Sequence, residues 1–270
     1  MVICATCAVE YELPVPTVCP ICADERQYVP ASGQHWTTLR ELSDAGHRVM
    51  VDELEPGLLA LSTDPAVGIG QTSLLVSTTG GSVLWDPIGF IDADAVEAVR
   101  RRGPVRAIAA SHPHMFGVQL EWSRALGGVP VLVNREDAAW LGRTGPEVEF
   151  WSESRAIADG VTLHQVGGHF AGSAVLHWAG GADGRGVVLA GDSLSPNPDR
   201  RTAGFLRSYP NKIPLSGAVA LRIAAALNRL PYDRVYGNFA NAIPSDARAA
   251  VRFSAERHAA WTRGDHDDLT

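Results

Sequence analysis

The stretch Ala109-Ala110-Ser111-His112-Pro113-His114-Met115-Phe116-Gly117 decides how this chain is read. It follows an apolar run, Val105-Arg106-Ala107-Ile108-Ala109-Ala110, whose composition fits a buried strand. Strand residues two apart point the same way. Two imidazoles leaving a strand end together can therefore grip one metal ion. An isolated His-x-His reads equally well as two polar residues in a surface loop. The pair gains weight from Gly167-Gly168-His169 and Ala190-Gly191-Asp192-Ser193, each beside an apolar run and spaced to fold back onto the same point.

Toward the N-terminus, residues 1–30 read as a unit of their own. Cys4-Ala-Thr-Cys7 and Cys19-Pro-Ile-Cys22 are two C-x-x-C knuckles separated by eleven residues. Each knuckle presents two thiolates from a tight turn, and four thiolates complete a tetrahedral shell with no open position, so the site is structural. Zinc is favoured, and a rubredoxin-like iron site would use the same ligands. A hairpin this small builds no core, so its metal supplies the folding energy. No cysteine lies in residues 23–270, so the main body has no disulfide. Residues 31–47, with Trp36, Leu39 and Leu42 at helical spacing, predict a short linking helix.

From residue 48 to 270 the pattern is that of one larger domain. Short β-rich runs at 48–54, 58–62, 72–77 and 82–86 are punctuated by Gly57, Asp64-Pro65 and Gly80-Gly81. Asp92 or Asp94 caps a helix, the histidine strand follows, and strands and helices then alternate. The second half repeats that order more loosely. It has a strand delivering Asp192, an amphipathic helix over 215–230 capped by Ser216, a short strand ending at Gly237-Asn238, and a final helix over 245–261. The predicted class is α/β (α+β).

The chain has 270 residues, 46% of them hydrophobic, which is enough for one sizeable core and a small module. A net charge of −7 argues against a nucleic-acid surface. No apolar run approaches the ~18–20 residues of a membrane span, and no basic segment followed by an apolar one opens the chain. A soluble cytoplasmic protein with no membrane partner is expected.

The order of motifs resembles the metallo-β-lactamase fold, over roughly residues 48–262. That resemblance implies a four-layer αββα sandwich, here preceded by the zinc ribbon, with a metal site along one edge between the sheets. The family's signature is an Asp at a strand end, then H-x-H-x-D-H, then G-H, then an Asp, then a late His. Asp86, His112 and His114, His169, and Asp192 fall at the first four of these. Phe116 and Gly117 stand where the family has the Asp and His of a second metal subsite, and Asn238 stands for the late His. Phe and Gly cannot ligate through side chains, and Asn is a poor ligand for a borderline metal. The resemblance therefore implies one catalytic metal held by His112, His114 and His169, with Asp192 as fourth ligand or as a base.

Three neutral imidazoles on zinc leave a position for water whose pKa the ion lowers toward neutrality. Asp192 and Asp86 are the candidate catalytic carboxylates. By family analogy Asp86 sits one shell out, buttressing the histidine loop; a cap or turn role reads equally well. Arg207, Tyr209 and Lys212 can bind an anionic or carbonyl-bearing substrate, or belong to a solvated loop. Phe116 and Asn238 complete the candidate substrate contacts, with Phe116 expected to make the pocket more apolar. The leading expectation is a zinc hydrolase acting on a small ester, thioester, lactone or amide. The alternatives are an Fe2+ oxygenase of the persulfide dioxygenase type, using His112, His169 and Asp192, and a non-catalytic module that binds a protein partner or a second copy through the ribbon.

Overall fold

A computed structural model describes all of residues 1–270. Its frame is two sheets. In the larger, seven strands lie in the spatial order 148–151, 131–134, 105–109, 81–85, 73–78, 58–64 and 48–55. The first four of these are mutually parallel and the rest pair antiparallel. The smaller sheet has six strands, ordered 154–158, 161–165, 174–178, 187–189, 234–236 and 242–243.

Three apolar clusters show how the layers stack. One lies between the sheets, where Leu74, Val83, Trp85, Ala107 and Ala109 meet Leu163, Leu176, Val187 and Leu189. A second covers the outer face of the smaller sheet with the helices Gly217–Leu227 and Ala247–Arg263, through Ile223, Leu227, Val251 and Ala255. The third covers the outer face of the larger sheet with Ala95 and Val99 of the helix Ala93–Arg100 and with Leu120 and Trp122 of the helix Gln119–Ala125. The result is the αββα order expected from the sequence. The predicted caps are in place: Asp92 Oδ1 accepts from Ala95 N–H at 2.8 Å, and Ser216 accepts from Val219 N–H at 3.4 Å.

The cysteine module is built into the third cluster. Ile3, Cys4, Cys7, Val9, Tyr11, Ile21 and Cys22 are buried together with Leu84, Ile88, Phe90 and Trp122 of the main body. Its small sheet also extends past residue 30. The strand Val2–Cys4 pairs with Glu10–Tyr11 on one side and with Trp36–Thr37 on the other. The linking helix is correspondingly short, Leu39–Asp44, because Trp36 is used as a strand residue with its ring 5.0 Å from that of Tyr11.

Chain direction positions the site. The strands ending at Trp85 and Ala109 are parallel, as are those ending at Leu189 and Tyr236. Their carboxyl ends, with the loop after Gln165, open on one edge of the sandwich, the place where α/β sheets leave a crevice. Main-chain bonds cross that edge: Ala174 N–H donates to Ser111 O at 2.9 Å, and Thr72 N–H to Asn238 O at 2.7 Å.

Candidate metal centre

Each loop that follows one of these strand ends contributes one or two side chains. Pro113 opens a 3-10 turn, Pro113–Met115, whose preceding residue His112 is fully extended. The turn swings His114 to the same side as His112. His169 comes from the glycine turn after the 161–165 strand, and Asp192 from the turn after 187–189. The structure brings donor atoms of His112, His114, His169 and Asp192 within 4.8 Å of one another, and all four side chains are buried. His169 Nε2 lies 3.2 Å from His114 Nδ1, and Asp192 Oδ2 lies 3.5 Å from His112 Nε2 and 3.7 Å from His169 Nε2. Ligand atoms ~2.0–2.1 Å from a shared tetrahedral ion would stand ~3.3 Å apart. The spacing fits a small divalent ion.

The outer nitrogens fix which ring atoms face inward. His112 Nδ1–H donates to Ser111 Oγ at 2.8 Å, and the Ser111 hydroxyl donates to Asp86 Oδ2 at 3.0 Å. Ser111 N–H donates to Asp86 Oδ1 at 2.6 Å. His169 Nδ1–H donates to Leu206 O at 3.2 Å. Both rings therefore keep a lone pair on Nε2, the arrangement that metal-binding histidines use. His112 Nε2 is buried with no hydrogen-bond partner, a cost a ligand atom would otherwise not bear. Burial pushes His114 well below the usual imidazole range and His169 down to about 4, with neighbouring imidazoles adding to both, so these rings are neutral near pH 7. Burial pushes Asp192 up, but His112, His169 and the Asn238 amide outweigh it and hold the carboxylate below its ordinary range.

The four thiols fit an ion as well. Cys4 Sγ lies 3.6 Å from Cys22 Sγ, and Cys7 Sγ lies 3.7 Å from Cys19 Sγ. These separations are far beyond the ~2.05 Å of a disulfide and match the ~3.8 Å edge of a tetrahedron with ~2.3 Å metal–sulfur bonds.

Other candidate residues are distributed unevenly. A cavity of about 290 Å3 opens onto His114, His169 and Asp192, and Tyr209 lines it. The Tyr209 hydroxyl donates to Asp192 O at 3.3 Å. Asn238 is buried beside the Asp192 carboxylate, outside the cavity lining, and its Nδ2 has no well-formed hydrogen bond. Asp86 is wholly buried, where burial pushes it up to about 7 against the opposing effects of the neighbouring His112 ring and the Ser111 bonds; it touches the centre only through Ser111.

Besides Asn238, three of the candidate substrate contacts lie outside this cavity. Phe116 does not line the cavity: the 3-10 turn directs it into the apolar cluster shared with the cysteine module, where an aromatic ring gains most from burial. Arg207 is paired with Glu25 of the cysteine module. Lys212 is exposed, outside the cavity, at a left-handed turn position with φ of 59°.

What sequence reasoning missed is the segment after the second knuckle. Arg26, Gln27 and Tyr28 form one wall of the cavity, with Gly68, Ile69, Pro210 and Phe239 completing it. Nothing in their spacing marks them, since they follow a metal knuckle and carry no motif. Ser111 had a visible signal, its position between a strand end and the first histidine.

No protein-family model matches the chain. A Bacillus subtilis (strain 168) protein, the uncharacterized YmaE, is 37% identical over 260 residues, spanning 95% of this chain and 94% of its own. Among solved structures, the DIM-1 metallo-β-lactamase superposes with a TM-score of 0.59 at 13% identity, covering 78% of this chain and 98% of that one. The mono-zinc form of the FIM-1 metallo-β-lactamase from Pseudomonas aeruginosa gives 0.55 at 16% identity, covering 78% and 96%. VMB-1 gives 0.59 at 12% identity, covering 80% and 98%.

Proposed function

We propose, from the premise that this chain belongs to the same family as Bacillus subtilis YmaE and is built on the metallo-β-lactamase fold, that it is a hydrolase with one zinc ion at the His112–His114–His169–Asp192 centre. The observation that carries this is the convergence of four buried donor atoms from three separate loops, with the outer nitrogens of His112 and His169 already engaged. Zinc bound there supplies Lewis acidity and a water acidified toward neutrality.

The chain's own residues do the rest. Asp192, its carboxylate held below the ordinary range, would either complete the ion's donor set or accept a proton at a carboxylate oxygen. The Asp86–Ser111 pair holds the His112 ring in one tautomer and orientation. The cavity admits a small molecule: Ile69, Phe239 and Pro210 offer apolar contact to an acyl group, and Gln27 offers a donor to its oxygen atoms. A small ester, thioester, lactone or amide fits these requirements. A single ion is supported by Phe116 lying in the core and by Gly117 carrying no side chain. A Cβ at 117 would be driven into the Pro87 carbonyl oxygen.

Elemental analysis of the purified protein is expected to give two zinc ions per chain, falling to one in a His112→Ala/His114→Ala double variant. That variant should also lose turnover in a panel of aryl esters, thioesters and lactones. Only one zinc in the unsubstituted protein would contradict the reading.

A further inference from the structure

The four-thiolate module and the His–Asp centre touch through a short strap, residues 24–28. Arg26 Nε–H donates to the main-chain oxygen of His169 at 2.7 Å. Its guanidinium lies 4.1 Å from the centroid of Phe170, and that ring packs against all three ligand imidazoles, with centroids 5.6, 5.0 and 5.2 Å from His112, His114 and His169. Asp24 Oδ1 accepts from Arg26 at 2.6 Å, and the Arg26 side chain is only 12% exposed. Held on three sides, this arginine is placed as a fixed part of the His169 turn. A free surface cation would lose more rotamer freedom and gain little from one exposed pair.

The strap is in turn clamped to the loop beyond Asp192. The Ser208 hydroxyl donates to Arg26 O at 3.0 Å, and Asn211 Nδ2 donates to Glu25 O at 2.9 Å and Gln27 O at 3.1 Å. At its other end the strap leaves Cys22, so its path is fixed by the thiolate site. The module holds the histidine loop too: Glu10 N–H donates to Gly117 O at 3.0 Å, and Glu10 Oε1 accepts from Leu120 N–H at 2.6 Å.

We propose that Arg26 is a positioning residue for the His–Asp centre, and that through it the loaded four-thiolate site sets the metal affinity of that centre. This rests on the zinc reading above. Coupling of this kind is reciprocal, so loading the His–Asp centre also tightens the thiolate site.

The test is zinc titration of the full chain against a chromophoric chelator, with the His112→Ala/His114→Ala variant marking the thiolate-bound ion. Arg26→Gln is expected to bind the first zinc as the unsubstituted protein does and the second ~10–100-fold more weakly, the usual effect of losing a group that orients a ligand. Arg26→Lys, which keeps one donor but not the planar stack, should fall between. Asn211→Ala leaves both ligand sets and Arg26 intact and should weaken the second zinc in the same direction; it decides the matter if Arg26→Gln fails to fold. Two zinc ions with unchanged second affinity in the variants would overturn the inference alone. One zinc in the unsubstituted protein would overturn it together with the zinc reading.

Discussion

Ser111 shows how much of the centre depends on groups that never touch a metal. Its amide and hydroxyl both go to Asp86, and its Oγ accepts the Nδ1 proton of His112. Ser111→Ala removes that acceptor while leaving every ligand in place. The expected outcome is a ~10–100-fold loss of zinc affinity at the His–Asp centre, read by chelator competition. A second residue carries a pH dependence. Burial pushes Glu10 up to about 7, against the opposing effects of the Leu120 amide and Arg143. A carboxyl whose folded pKa lies above its unfolded value of ~4.3 favours the folded state fully below that value. The advantage is lost as pH rises through about 7. The stability of the zinc-saturated protein relative to Glu10→Gln should therefore decline between pH 5 and pH 8 in urea unfolding. A difference that stays flat across that range would contradict the assignment.

At the level of elements, the site is a property of strand ends. The C-terminal ends of the strands over 81–85, 105–109 and 187–189 deliver Asp86, His112 with His114, and Asp192, and none of these residues lies within a strand. The loops are set by close main-chain approach. Gly117 has φ of 50° and lies against the Pro87 and Ile88 carbonyls; Gly191 lies against the Ser111 side chain. Gly117→Ala combines a left-handed φ with a clash against backbone, and is expected to cost ~1–3 kcal/mol by thermal unfolding.

This scale also explains what the sequence reveals. Strand-end histidines and the glycine before Asp192 are local signals, so the clustering of His112, His114, His169 and Asp192 and the sandwich were legible. The strand over 148–151 was not, because a short, partly exposed strand owes its pairing to residues elsewhere in the chain, here 131–134. Phe116 was misplaced for a similar reason: its position beside His114 says nothing of where a 3-10 turn aims it.

Across the whole molecule, the cysteine module and the sandwich are packed around common core residues. They share an apolar cluster of 27 buried residues. Arg143 joins them as well, pairing at 2.7 Å with Glu10 and at 2.6 Å with Glu121, with its side chain only 10% exposed. Without Arg143 the buried Glu10 carboxyl is left to protonate and loses a hydrogen-bond donor, so Arg143→Met is expected to destabilise the chain by ~1–3 kcal/mol. Calorimetry should show a single cooperative transition for the zinc-saturated protein. Cys7→Ser, which breaks the thiolate shell, should lower that transition as a whole instead of releasing a separate low-temperature step. Residues 1–30 looked separable in sequence because their metal motif is complete in itself; the contacts that bind them to the sandwich come from unmarked positions such as Glu10 and Arg26.

The central claim is that one zinc ion sits at the strand-end centre. Anomalous scattering from crystals of the intact protein, collected at the zinc and iron edges, tests it directly. The account predicts two zinc peaks per chain, one among the four thiolates and one within bonding distance of His112 Nε2, His114 Nδ1 and His169 Nε2 beside Asp192. An iron signal at that second position, a pair of ions there, or no peak at all would contradict it.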